Sequence, residues 1–183
     1  MKKGLLLVDI QNDYFPGGRM ELVGMEAAAS RAQALLAAFR SRQWPTYHIQ
    51  HLSTREGAAF FLPDTPGVQI HASIAPRQGE TVINKHFPNS FRDTGLKERL
   101  AAAEVGELVV CGAMSHMCID ASTRSAVDQG FSCVVIHDAC ATRDLVFGET
   151  LIPAPQVHGA FMAALAFFYA GVISLEEFMR TLE

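Results

Sequence analysis

Leu5-Leu-Leu-Val-Asp9 is the stretch on which the fold turns. Four apolar residues run without alternation and end abruptly in a carboxylate. A strand half open to water alternates apolar and polar residues, whereas a strand covered on both faces reads as an unbroken apolar run. The expectation is therefore a buried parallel strand with helices on either side. The same pattern returns along the chain, at Thr46–His51 after Pro45, Thr81–Asn84, Glu107–Gly112 and Cys133–Ile136, with a short strand near Gly171–Ser174. Between these runs the spacing becomes helical. Ala28, Ala32, Leu35, Leu36 and Phe39 share one face of a helix over Met25–Arg42. Ile119, Thr123, Ala126 and Val127 share a face of another, which Gly130 stops. Phe161, Ala164, Leu165 and Phe168 mark a third, and Leu175–Leu182 closes the chain. Alternating strands and helices predict a single three-layer α/β/α domain over residues 1–183, with a Rossmann-like, parallel six-stranded sheet. Residues 53–80 break the rhythm. Rich in Pro, Gly and Phe, they are too long for a bare connector and are expected to form a lid or pocket wall.

The chain has 183 residues, 49% of them hydrophobic and 19% charged, with a net charge of −4. That balance fits one ordinary globular core. No Lys/Arg cluster offers a stripe that could follow a phosphate backbone, which argues against nucleic acid. The apolar start stops at Asp9, too short for a signal peptide, and Ala160–Ile173 is too short for a membrane span. Four cysteines, at 111, 118, 133 and 140, make no CxxC pair and suit a reducing, cytoplasmic setting.

In an open parallel sheet, ligands gather beyond the carboxyl ends of the strands. The reactive side chains expected there are Asp9, His51, Lys85, Cys118, Asp138 and Cys140, while Cys111 and Cys133 fall inside strands. Asp9 must find a cation or a donor after its apolar run, and Lys85 is the candidate partner. Alternatively, Asp9 caps a turn and Lys85 is an ordinary surface lysine. The segment Gly112-Ala-Met-Ser-His-Met-Cys118 joins a strand to a helix, which sets Cys118 near a helix N-terminus. A thiol there is expected to have a depressed pKa and to act as a nucleophile near neutral pH. Cys140 is its rival.

These segments resemble the isochorismatase-like cysteine hydrolases, a family that includes nicotinamidases, N-carbamoylsarcosine amidohydrolases and isochorismatases. The resemblance lies in Leu6-Leu-Val-Asp-Ile-Gln-Asn-Asp-Tyr-Phe15, Asn84-Lys-His-Phe-Pro-Asn-Ser-Phe91, Val110-Cys-Gly-Ala-Met-Ser-His-Met-Cys118 and His137-Asp-Ala-Cys-Ala-Thr142. It implies a catalytic triad of Asp9, Lys85 and Cys118, and a cis peptide between Ala113 and Met114. It also implies an oxyanion hole from the N–H groups of Met114 and Cys118, a structural role for Cys140, and assembly into a homo-oligomer. The activity implied is hydrolysis of a small amide or lactam. An isochorismatase-type vinyl ether hydrolase and a non-catalytic interaction domain are the alternatives. Where nicotinamidases carry a metal-binding Asp-x-His, this chain reads His48-Ile-Gln-His51. With His71 alone nearby, three ligands are not assembled, so neither metal nor cofactor is expected. Gln50 and His51 are instead expected to orient substrate, with Phe15, Phe87 and His116 as further substrate contacts.

Overall fold

The computed structural model describes residues 1–183. Six parallel strands form the central sheet: β1 (Lys2–Val8), β2 (Thr46–His51), β3 (Thr81–Lys85), β4 (Val105–Ala113), β5 (Ser132–Ala141) and β8 (Gly171–Ile173). Their order is β3-β2-β1-β4-β5-β8, and every pairing is parallel. The chain winds outward from β1 through β2 to β3, then returns to lay β4 on the other side of β1. The carboxyl ends of β1 and β4 therefore flank the point where the winding reverses, the crevice where such sheets bind ligands.

Five helices cover the sheet: α1 (Met25–Ser41), α2 (Leu96–Ala102), α3 (Asp120–Asp128), α4 (Ala154–Phe168) and α5 (Leu175–Arg180). Two apolar cores result, one on each face of the sheet. Leu5, Leu7, Val109 and Cys111 point into the first, with α1. Leu6, Val8, Leu108 and Val110 point into the second, with Leu96, Leu100, Ile119, Ala126 and Leu165. This double burial is why β1 could not alternate with polar residues. The expected faces of α1 and α3 are the buried ones. On α4 the expectation is corrected. Val157, Met162 and Leu165 are buried, while Ala164 is exposed and Phe168 is 74% exposed, so the inward face is rotated from the one read in the sequence.

Two further elements were not anticipated, α2 and a projecting antiparallel hairpin, β6 (Leu145–Phe147) with β7 (Thr150–Ile152). The fifth strand is also longer than expected, so Asp138 and Cys140 lie within β5 rather than after it. Residues 53–80 contain two single 3₁₀ turns, Pro66–Val68 and Ala72–Ile74, and are laced to the sheet as described below.

Candidate active site

Strand register sets the site. Val8 pairs with Gly112 on one side and Ile49 on the other, and His51 pairs with Lys85. Asp9, His51, Lys85 and the turn after Gly112 thus emerge from one edge. The backbone is bent hard at two of these points. Asp9 has φ +52°, the left-handed region that Asp tolerates better than most residues. Gly112 has φ +123°, and a Cβ on it would lie 2.0 Å from the carbonyl oxygen of Val8, so no side chain fits between β1 and β4 there.

At that edge Lys85 Nζ lies 2.7 Å from Asp9 Oδ2, with both side chains fully enclosed. Lys85 also donates to the carbonyl of Pro88 at 3.1 Å. Burial works to lower the Lys85 pKa, but the charge of Asp9 and its hydrogen bond to the ammonium raise it, so the ammonium is held charged. The Cys118 sulfur, an Asp9 carboxylate oxygen and a His51 ring nitrogen all lie within 4.8 Å of one another. Two ionised groups and a thiol thus share a space from which water is largely excluded, where charge interactions are strong.

The thiol itself corrects the expectation of a depressed pKa. Burial first, and then the negative charge of Asp9, push Cys118 up to about 12 against the opposing pull of Lys85. Cys118 lies in a π-type turn, Ser115–Ile119, that precedes α3, rather than in the first turn of the α-helix. Enclosure and the neighbouring carboxylate decide the resting state, which is the neutral thiol. The Ala113–Met114 peptide bond is cis, and the Met114 N–H has no acceptor within the protein.

An Isochorismatase domain model matches residues 3–177. The chain belongs to the isochorismatase family. It is 52% identical to an uncharacterized isochorismatase family protein of Bacillus subtilis, over 98% of this chain and all of that one. It is 38% identical to a streptothricin hydrolase of Streptomyces noursei, over 90% of this chain and 56% of that one. Its structure superposes on an isochorismatase-type hydrolase from Oleispira antarctica with a TM-score of 0.94 and 52% identity, covering 98% of this chain and 96% of that chain. Relatives include amidases, among them a maleamate amidohydrolase of Pseudomonas putida, 27% identical over 78% of this chain and 73% of that one.

Around the Asp9–Lys85–Cys118 cluster of this isochorismatase-family chain, the other expected site residues divide. His51 faces the Asp9–Cys118 space, and burial lowers its pKa, which keeps the imidazole neutral at pH 7. Gln50 Nε2 donates to the Val68 carbonyl at 2.9 Å, which fastens the 53–80 segment to β2. Phe15 is buried and stacks on the His71 ring at 3.7 Å. Phe87 lies under the Arg92 guanidinium at 3.5 Å, outside the cluster. His116 Nδ1 is 2.6 Å from Thr142 Oγ1 at the end of β5. His48 pairs with Glu80 on the buried side of β2 and points away from the site.

Three residues not singled out from the sequence shape the site. Gln11, fully buried, accepts from the His51 N–H at 2.7 Å and donates to the carbonyls of His51 and Val68. It fixes both the end of β2 and the wall. Asp13 accepts from the N–H of Phe61 at 2.6 Å and of Arg19 at 3.2 Å. This holds Phe61 at φ +56°, a conformation costly for a bulky residue. Tyr14 packs on Phe61 at 4.5 Å, and burial followed by the charges of Cys118 and Asp9 raises its pKa well above the ordinary value. The motif Gln11-Asn-Asp-Tyr14 thus builds a wall beside the site, with Phe61 packed against it. A separate cleft of about 780 Å³, lined by Arg40, Trp44, Tyr47, Arg77 and Arg99, shares no residue with this cluster.

Proposed function

We propose that this protein hydrolyses the C–N bond of a small amide or lactam through a thioester on Cys118. The observation that carries the reading is the enclosed Lys85–Asp9 pair at 2.7 Å with the Cys118 sulfur beside it. An ion pair removed from water contributes little net stability, so its retention beside a thiol is best accounted for by chemistry.

Because the resting thiol is neutral, its proton must leave as the S–C bond forms. Asp9 accepts that proton while sulfur attacks the amide carbon. Lys85 stays charged and balances the negative charge that moves from Asp9 to sulfur to oxygen. The N–H groups of Met114 and Cys118 receive the oxyanion, a contribution of ~10²–10³ in rate per donor in comparable sites. Asp9 then returns the proton to the departing amine or ammonia, leaving the thioester. Water, deprotonated by Asp9, attacks the thioester, and the acid leaves as sulfur recovers its proton. Proton transfer by Asp9 accounts for a further ~10²–10⁴. Neutral His51 and the Tyr14 and Phe61 rings orient the substrate.

No helix is long and apolar enough to cross a membrane. Four free, buried thiols support a reducing, cytoplasmic setting. Exposed Phe167 and Phe168 on α4, with Val146, Phe147 and Leu151 on the hairpin, support assembly with further copies.

The test is a panel of small primary amides and lactams assayed for released ammonia or acid, with Cys118→Ser and Cys118→Ala controls. Turnover lost in both variants is the expected result. Amide turnover that survives Cys118→Ala would rule out the thioester, turnover of an added vinyl ether by Cys118→Ala would point to ether hydrolysis, and no turnover of either by the parent would point to a binding domain.

A further inference from the structure

We propose that Asp9, His51 and Cys118 form a binding site for one soft divalent cation, with zinc the best-suited occupant, and that the bound ion switches the thiol off. The three residues offer a carboxylate oxygen, an imidazole nitrogen and a thiol sulfur, all within 4.8 Å of one another. Zinc takes this donor set in tetrahedral sites with three protein ligands and one open position. Donors at ~2.0–2.3 Å from zinc stand roughly 3.3–3.8 Å apart, so closing around the ion needs no more than about 1.5 Å of side-chain movement.

A second observation points to a ligand here. Both Asp9 carboxylate oxygens are buried without a well-aligned hydrogen bond, although Lys85 Nζ lies 2.7 Å from Oδ2. Buried carboxylate oxygens normally have partners, and one oxygen of this carboxylate lies within 4.8 Å of the sulfur and of an imidazole nitrogen. The His51 ring offers a nitrogen lone pair of the kind that commonly binds metal ions. Lys85 opposes the ion electrostatically but remains on Oδ2, and its charge is offset once the thiol becomes a thiolate. Binding exchanges one proton for the metal: the S–H bond breaks, the S–M bond forms, and the proton passes to solvent. Among the nearby histidines, His48 is tied to Glu80, His71 to Phe15 and Ser73, and His86 Nδ1 lies 2.9 Å from the Leu52 carbonyl oxygen.

Binding rests on the donor geometry alone, whereas inhibition rests on Cys118 being the nucleophile. The experiment uses the full chain, reduced, titrated with cobalt(II) as a spectroscopic stand-in and then with zinc. One equivalent of cobalt should give a near-ultraviolet sulfur-to-metal charge-transfer band and visible bands of tetrahedral intensity, both bleached by zinc. The band should vanish in Cys118→Ser, persist in Cys140→Ser, and require at least about 100-fold more cobalt in His51→Ala and in His51→Gln. Zinc should also slow iodoacetamide labelling of Cys118. No charge-transfer band, or a band that survives Cys118→Ser, overturns the site. Equal cobalt affinity in both His51 variants, with native circular dichroism, overturns the ligand set. A band and labelling protection with full amide turnover in the presence of zinc would leave the metal site standing and refute Cys118 as nucleophile.

Discussion

Removing Lys85 while keeping Asp9 separates the stability of the pair from its chemistry. At 2.7 Å and an effective dielectric near 20, the direct attraction between the two charges is about 6 kcal/mol. Burying each ion costs several kcal/mol, so the pair contributes little net stability, yet either ion left alone is strongly destabilising. Lys85→Met should therefore lower unfolding free energy by about 3–5 kcal/mol, and Asp9→Asn by a similar amount. The double variant, Asp9→Asn with Lys85→Met, leaves no buried charge. It should recover most of the loss and come within about 1–2 kcal/mol of the parent, while amide turnover stays abolished. Urea denaturation followed by tryptophan fluorescence reads all four proteins, and the single Trp44, far from the pair, provides the signal. Losses that simply add in the double variant would refute the coupling, and recovered turnover would refute the assignment of the pair to catalysis.

Gly112→Ala should prevent folding outright, because the new methyl would meet backbone of β1 rather than a side chain that could move; absence of native far-ultraviolet circular dichroism is the expected readout. Asp13→Ala should cost about 1–3 kcal/mol by stranding the N–H groups of Phe61 and Arg19, and should speed amide hydrogen exchange over residues 58–70 while leaving α1 unchanged. For Glu80, burial raises the pKa, but hydrogen bonds from Arg40, the Arg77 N–H and His48, with the Arg40 charge, outweigh it and bring it to about 2. A depressed carboxyl pKa stabilises the fold above its unfolded value near 4.5, and this contribution is lost as pH falls from there toward 2. Glu80→Gln should flatten that part of the stability–pH curve, as followed by thermal melts between pH 2 and 6.

The doubly covered sheet was legible in Leu5–Val8 because burial on both faces removes alternation, a property of composition alone. The convergence of Asp9, His51, Lys85 and Cys118 at one edge was legible because parallel strands all present their carboxyl ends on one side. The hairpin was missed because Val146, Phe147 and Leu151 are exposed, which no intrachain burial pattern can signal. The inward face of α4 was misread for a related reason: it is apolar nearly all round, so periodicity cannot choose a side. The titration of Cys118 was misjudged because position in sequence reveals a nearby helix start but not enclosure, and here enclosure with a carboxylate neighbour dominates. The bond from Gln50 to the Val68 carbonyl was not legible, because Val68 lies in a segment whose path no local pattern specifies.

The proposed chemistry is tested most directly by intact-protein mass spectrometry of enzyme acid-quenched during turnover of an amide from the panel. A covalent adduct with the mass of the acyl group, located on Cys118 after digestion and absent from Cys118→Ser, is the expected result. Rapid turnover with no adduct at any quench time, or an acyl group carried on a different residue, would contradict it.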